Sequence, residues 1–331
     1  MQHDPTTTIP IVTVAEMAGA VADEVGRVIV GKSEQTRMVT IALLAGGHVL
    51  IDDVPGVAKT LLVRTFAAAL DLSFARIQCT ADLLPADVTG SMVFDQRSGA
   101  FAFRPGPLFA NIVLADEVNR ATPRTQSAFL EAMEERGVTS DGVTHPLPAP
   151  FMVLATQNPV ELKGTFPLPE AQLDRFLLRV RMGYPSQDEE TLMLRRFQSG
   201  DPFAEVRATA AAATMPEARV AVRAVHVSDD VARYVVRIVS ATRETDQLRL
   251  GASPRASLSL LHAAQASAAL AGRDYVTPDD VQDLVTALLA HRLLLARDAA
   301  IDRRDPEDVL REVVAGVPVP AEVREDEPAV T

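Results

Sequence analysis

Two short stretches carry the residue types that phosphoryl chemistry uses. The first is HVLIDDVPGVAKT, His48 to Thr60. Val49, Leu50 and Ile51 read as a short apolar strand and Pro55-Gly56 as a turn. Lys59-Thr60 then opens an apolar helix through Leu61, Leu62, Val63 and Phe66. A strand that stops at a tight loop and restarts as a helix leaves backbone N–H groups unpaired. Together with the helix dipole, those groups suit a polyphosphate. There Lys59 would reach the β- and γ-phosphates, and the Thr60 hydroxyl would ligate Mg²⁺. The match to G-x-x-x-x-G-K-[ST] is imperfect, because Asp53 and Ala58 stand at its two glycine positions and Gly56 lies inside the loop. Lysine usage strengthens the reading. Of 32 Lys and Arg residues only Lys32, Lys59 and Lys163 are lysine, so a chain that prefers the planar fork keeps a compact ammonium in this loop.

The second stretch is Asp116-Glu117, which ends the apolar run NIVLA. A carboxylate at a strand end can hold Mg²⁺, usually through water, and its neighbour can polarise an attacking water. Asn158 closes the next apolar run, FMVLATQN. Its amide could orient a water, although Asn before Pro159 is also a favoured turn residue. Arg175, in LDRF, has no role that spacing assigns. Arg255 sits in the first turn of a helix opened by Ser253-Pro254, where a cation is electrostatically disfavoured.

The elements that must position these residues alternate in type. Thr13 and Glu16 read as a capping box for a helix through Arg27. A second helix carrying Met38, Ile41 and Leu44 stops at Gly46-Gly47. Strands are expected at 49–51, 75–79, 111–115, 151–155 and 177–182. Two hairpins are expected, at 90–103 with Ser98-Gly99 at the turn and at 138–150 around Asp141-Gly142. Thr122-Pro123 starts a helix with Phe129, Leu130 and Met133 on its apolar face, ended by Gly137. Apolar strands alternating with helices indicate a parallel sheet covered on both faces. This gives an α/β domain over 13–185, preceded by a disordered stretch, 1–12. Residues 186–223 read as helical and then alanine-rich, a linker. Four helices and little strand follow as a small bundle of their own, 224–317, three of them starting at Ser253-Pro254, Thr277-Pro278 and Asp305-Pro306. The acidic tail, 318–331, reads as disordered.

Composition narrows the function. The chain has 331 residues and a net charge of -12, which speaks against a nucleic-acid surface as the main function. One cysteine, Cys79, leaves no intramolecular disulfide and no Cys-based zinc site. The N-terminus has neither the basic start nor the apolar stretch of a signal peptide, and no apolar run is long enough to span a bilayer. A cytoplasmic protein without a membrane span is expected.

Taken together, VPGVAKT, NIVLADEVNRATPRTQSAFLEAMEE, ATQNPVE, LDRF and GASPRA resemble the MoxR-type AAA+ ATPases, in the helix-2-insert branch that includes magnesium chelatase ATPase subunits. The resemblance runs from about Val28 to Gly316. It implies an α/β P-loop NTPase (AAA+) core with a parallel five-stranded sheet, followed by a small all-α lid. It also implies Mg²⁺-dependent ATP hydrolysis by a ring, most often a hexamer, that remodels protein partners. By resemblance, Pro55, Gly56, Val57, Ala58, Lys59, Thr60 and Leu61 bind nucleotide. Val30 and Gly31 form the elbow that contacts adenine. Thr60 and Asp116 hold the metal, and Glu117 is the catalytic carboxylate. Asn158 is sensor 1, Arg255 is the sensor 2 arginine, and Arg175 is the finger that acts on a neighbouring subunit's nucleotide. The hairpins at 90–103 and 138–150 correspond to the helix-2 insert and the hairpin before sensor 1. Partners with von Willebrand factor A domains are implied by the family. The same branch contains nucleic-acid motors, and a nucleotide-gated scaffold with negligible turnover is a third reading.

Overall fold

The computed structural model describes residues 9–52, 56–97, 99–157, 164–198, 200–209 and 211–320. Helices α1 (Ile11–Val28) and α2 (Ser33–Ala45) precede β1 (Val49–Asp52) and α3 (Lys59–Ala69). Next come β2 (Phe74–Gln78), the short α4 (Pro85–Thr89) and a hairpin of β3 (Gly90–Asp95) and β4 (Ala100–Pro105). Strand β5 (Ile112–Asp116) leads through α5 (Pro123–Glu135) to a second hairpin, β6 (Gly137–Ser140) and β7 (Val143–Pro146). The α/β part closes with β8 (Met152–Gln157), α6 (Glu170–Leu173) and β9 (Leu178–Val180). Then follow α7 (Gln187–Gln198), α8 (Ala211–Arg223), α9 (Asp229–Glu244), β10 (Leu248–Leu250) and α10 (Pro254–Leu270). The described chain ends with α11 (Pro278–Leu289), β11 (Leu294–Leu295), α12 (Arg297–Ile301) and α13 (Pro306–Ala315).

The five expected strands form one parallel sheet in the order β2-β5-β8-β1-β9. Successive residues of its central strands feed opposite cores, as a period of two requires. Ile112, Leu114, Met152 and Leu154 join the cluster that contains α1, α2 and α3. Val113, Ala115, Val153 and Ala155 join the smaller one under α5. Both hairpins form, with β3 paired to β4 and β6 to β7. Gly90 and Gly106 let the base of the first close up, since a Cβ on Gly106 would stand 2.3 Å from the Val88 carbonyl oxygen. Phe103 stacks on His145 with ring centroids 3.9 Å apart, joining the two hairpins. Thr122 caps α5 as expected, but the helix ends on Arg136 in the left-handed conformation, and Gly137 already belongs to β6.

Three expectations change at the margins. Helix α1 starts at Ile11, inside the stretch read as disordered. Its N-cap is Pro10 with no side-chain cap bond, so the Thr13–Glu16 capping box does not form. The described residues of 186–223 are largely helical, as read, but the second helix packs into the core rather than linking two separate units. Helix α8 buries Ala211, Met215, Ala218, Ala221 and Val222 against α1, α2 and α10. The C-terminal helices are not a bundle with a private core, because their apolar residues belong to the same cluster as α1, α2 and α3. The alanine-rich α10 accounts for this. Ala263, Ala264, Ala266, Ala268 and Ala269 are all buried, so one helix packs against the lid and the α/β domain at once.

His48 sits at the start of β1, fully enclosed. The Val153 amide donates to its Nδ1 at 3.0 Å, so Nε2 carries the proton and donates to the Met133 carbonyl at 3.2 Å. Burial pushes its pKa down to about 4, and that of the enclosed His291 to about 3. Because the folded values lie below the ordinary 6.5, the unfolded chain takes up these protons first. Stability is therefore complete above about pH 6.5 and lost as pH falls toward 4, by up to about 1.4 kcal/mol per pH unit for each histidine. Urea unfolding between pH 7 and 5 should show a falling midpoint, with a shallower fall in His48→Asn.

Candidate functional site

Parallel sheets present ligands at the carboxyl ends of their strands, where chain direction switches. The ends of β1, β2, β5 and β8 here surround one open cleft of about 470 Å³, lined by Gly56, Ala58, Lys59, Thr60, Leu61, Arg76, Gln78, Asp116, Glu117 and Thr156. The two stretches singled out in the sequence thus meet. The loop after β1 delivers the N-terminus of α3, and β5 delivers the carboxylates. Ala58 takes a left-handed conformation, φ 59°, as the residue before α3. That is a physical reason for the glycine of the general pattern at this position, since a Cβ there costs about 1–2 kcal/mol. Glu117 is left-handed as well, φ 57°.

Four further side chains hold the carboxylates. Arg76 Nη2 donates to Asp116 Oδ2 at 2.6 Å and to Gln78 Oε1 at 2.7 Å. Thr156 Oγ1 donates to Asp116 Oδ1 at 2.7 Å and accepts from the Glu117 amide at 2.8 Å. Gln78 Nε2 and Arg120 Nη1 each donate to Glu117 Oε2 at 3.1 Å. Sequence reasoning missed all four. The outward-facing polar residues of β2, Arg76 and Gln78, were the available signal, and they acquire meaning only once β2 pairs with β5.

The remaining expected residues lie elsewhere. Val57 is buried and does not line the cleft. Val30 and Gly31 stand at the α1–α2 elbow, outside the cleft lining, where Gly31 (φ 71°) backs directly onto the Glu189 carboxylate. Pro55 and Asn158 lie outside the described residues. Arg175 and Arg255 come together in a separate pocket of about 220 Å³. No described residue lines both this pocket and the cleft. The pocket lies at the opposite, amino end of the parallel strands, formed by Gly46, Gly47 and His48 before β1, by Leu177 before β9 and by the end of α5. Arg136, Arg223 and Arg292 also line it, making five arginines against the carboxylates Glu134 and Asp174. Burial and the neighbouring Arg136 and Arg223 push the nearby Arg219 down to about 10. Arg136 Nη2 donates to the Gly46 carbonyl at 2.8 Å, so the negative end of α2 absorbs part of this charge.

The chain is similar to known proteins. The sequence pattern of the ATPase family associated with various cellular activities (AAA) matches residues 48–178, and that of the AAA lid domain matches 240–313. The Bacillus subtilis protein YeaC is 47% identical over 92% of this chain and 96% of its own length. The Mycobacterium tuberculosis protein Chaperone MoxR1 is 44% identical over 90% of this chain and 81% of its own. The chain is a MoxR-type AAA ATPase. A solved structure of a candidate ATPase from Cytophaga hutchinsonii superposes with a TM-score of 0.88 at 38% identity, covering 94% of this chain and 97% of that one. The fold of this MoxR-type protein is accordingly an AAA+ α/β core with a helical lid.

Replacing Thr156 by Val removes both bonds of its hydroxyl and leaves the Glu117 amide unpaired. A stability loss of about 1–3 kcal/mol is expected, read from the denaturant midpoint. Ala58→Gly should act oppositely: relief of the left-handed conformation exceeds the added chain entropy of about 0.5–1 kcal/mol, so the midpoint should rise slightly.

Proposed function

We propose that this chain is the subunit of an ATP-hydrolysing ring that acts on protein partners, with each active site shared between two copies. The observation that carries the reading is the separation of Arg175 and Arg255 from the cleft of their own chain. Helix α5 starts a few residues after Glu117 and ends beside the arginine pocket, and its 13 residues span about 20 Å. Side chains cannot bridge that distance, so both arginines are offered to a neighbour.

In the cleft, Lys59 and the N-terminus of α3 receive the β- and γ-phosphates. Thr60 and Asp116 fit Mg²⁺, which usually takes one or two protein oxygens and completes its shell with water and phosphate. The donor chemistry agrees: Asp116 Oδ2 already binds a cation, the Arg76 guanidinium. Mg²⁺ held by Thr60 and Asp116 would supply positive charge to the phosphate oxygens. Glu117 orients the attacking water and accepts its proton as the β–γ bridging P–O bond breaks, with Asn158 as a second water contact. Arg175 and Arg255 of the adjacent copy stabilise the charge spreading over the transferring group. Phosphoryl transfer needs positioning and charge more than covalent chemistry, and an inserted arginine is worth on the order of 10³–10⁵ in rate.

A protein partner is favoured over nucleic acid by the first hairpin. Its exposed side chains include Phe94 and Phe101, packed edge to face with centroids 5.4 Å apart, and such a surface suits an apolar peptide better than a phosphate backbone. The chaperone name of the 44%-identical relative points the same way, and von Willebrand factor A-domain proteins are the partners to test first.

Turnover per subunit should rise with protein concentration as rings assemble. Glu117→Gln should bind ATP without hydrolysing it. Arg175→Ala should bind ATP normally and lose turnover roughly a thousandfold or more. Mixing these two inactive proteins should restore hydrolysis, because the Arg175→Ala cleft then receives an intact arginine from its Glu117→Gln neighbour. A mixture that stays inactive, or full turnover by a strictly monomeric species, overturns the reading.

A further inference from the structure

Arg175 and Arg255 are anchored to one carboxylate. Arg175 Nη1 forms an ion pair with Glu134 Oε2 and donates to the Leu130 carbonyl at 2.8 Å. Arg255 Nη1 pairs with Glu134 Oε1 at 3.5 Å. The arginines come from distant parts of the chain, the turn after α6 and the first turn of α10, whereas Glu134 lies in the last turn of α5. Each takes one oxygen of the same group. Nothing else about Glu134 distinguishes it from an ordinary surface glutamate on an amphipathic helix, so the sequence carries no sign of this role.

We propose that Glu134 is a positioning residue that converges the two arginines onto one point before a neighbour's nucleotide arrives. The assignment rests on the shared-site reading above. Two guanidinium groups in a pocket that also holds Arg136, Arg223 and Arg292 repel one another and, untethered, spread apart. A carboxylate offers two acceptor oxygens close together, much as a phosphoryl group does, and so sets the spacing at which the arginines can share a single anion. The tether does not consume them. Each binds Glu134 through Nη1, and a guanidinium has five N–H donors, so other donors can turn outward while Nη1 stays anchored. The side chains of Arg175 and Arg255 are 31% and 53% exposed, which leaves them accessible to a second copy. Ordering of this kind raises the rate of the chemical step without altering how ATP binds, because ATP occupies the cleft at the other end of the strands.

The test is Glu134→Gln, which keeps the shape and one acceptor but removes the charge. Expected are an unchanged Kd for ATP, unchanged ring assembly and a fall in kcat of tenfold or more, with Glu134→Asp recovering part of the loss. In an Arg175→Ala background the same change should cost less than in the wild type, and with Arg175 and Arg255 both replaced by Ala it should have no further effect. Mixing Glu134→Gln with the inactive Glu117→Gln protein should raise turnover above the sum of the two, because the intact arginines then serve the Glu134→Gln cleft. Unchanged or raised kcat, an equal loss in the Arg175→Ala background, or no gain on mixing overturns the proposal. If Arg175→Ala and Glu117→Gln complement while Glu134→Gln turns over normally, only this assignment fails. If that first pair does not complement, the shared site itself is wrong and takes Glu134 with it.

Discussion

A parallel sheet has two chemically different ends, and this molecule depends on keeping opposite charges at opposite ones. The acidic pair Asp116-Glu117 stands where β5 finishes, and the five-arginine pocket lies where β1 and β9 begin. Within one chain the arginines would pair with the carboxylates if they could reach them, and neither set would be left for a polyanion. The apolar strands between them prevent this, since β5 and β8 are buried on both faces and admit no polar path. Helix α5, about 20 Å long, begins a few residues after Glu117 and ends beside the arginine pocket.

Each end is then tuned by local bonding. At the cleft, Thr156 uses its single hydroxyl as donor to Asp116 and as acceptor from the Glu117 backbone, so one side chain ties the Asp116 carboxylate to the main chain of Glu117. Two non-glycine residues in the left-handed region, Ala58 and Glu117, flank the space where phosphate would lie, and such strain persists only where surrounding structure enforces it. At the other end, repulsion among arginines is balanced by the carbonyl end of α2, by Asp174 and by Glu134. The lid cannot be treated as an independent arm here. Helix α10 carries Arg255 in its first turn and buries its alanines against α2, so the core places that arginine's backbone and leaves its side chain to the pocket.

Local order and long-range order separate along the same lines. The strands were legible because residues such as 112–116 and 152–157 are apolar runs of strand length, and a run buried on both faces admits few alternatives. The lid helix starts were legible because Thr277 and Asp305 accept bonds from their own first turns, which is a local event. The capping box at Thr13 failed because burial of Val14, Ala18 and Val21 extended the helix back to Ile11, and tertiary contact outweighed one local cap.

By itself the sequence determined the covered parallel sheet, the loop that feeds Lys59 and Thr60 to a helix start, and an apolar strand that ends in two carboxylates. These follow from period, turn chemistry and residue type, all of which act over a few neighbours. Only the tertiary structure decided that Arg76, Gln78 and Thr156 serve the carboxylates, that Ala58 occupies a left-handed position, and that Arg175 and Arg255 meet on Glu134 far from their own cleft. Those outcomes depend on which strand lies beside which and on how the lid packs. Contacts between residues 40 to 121 positions apart leave no periodic trace in the chain that makes them.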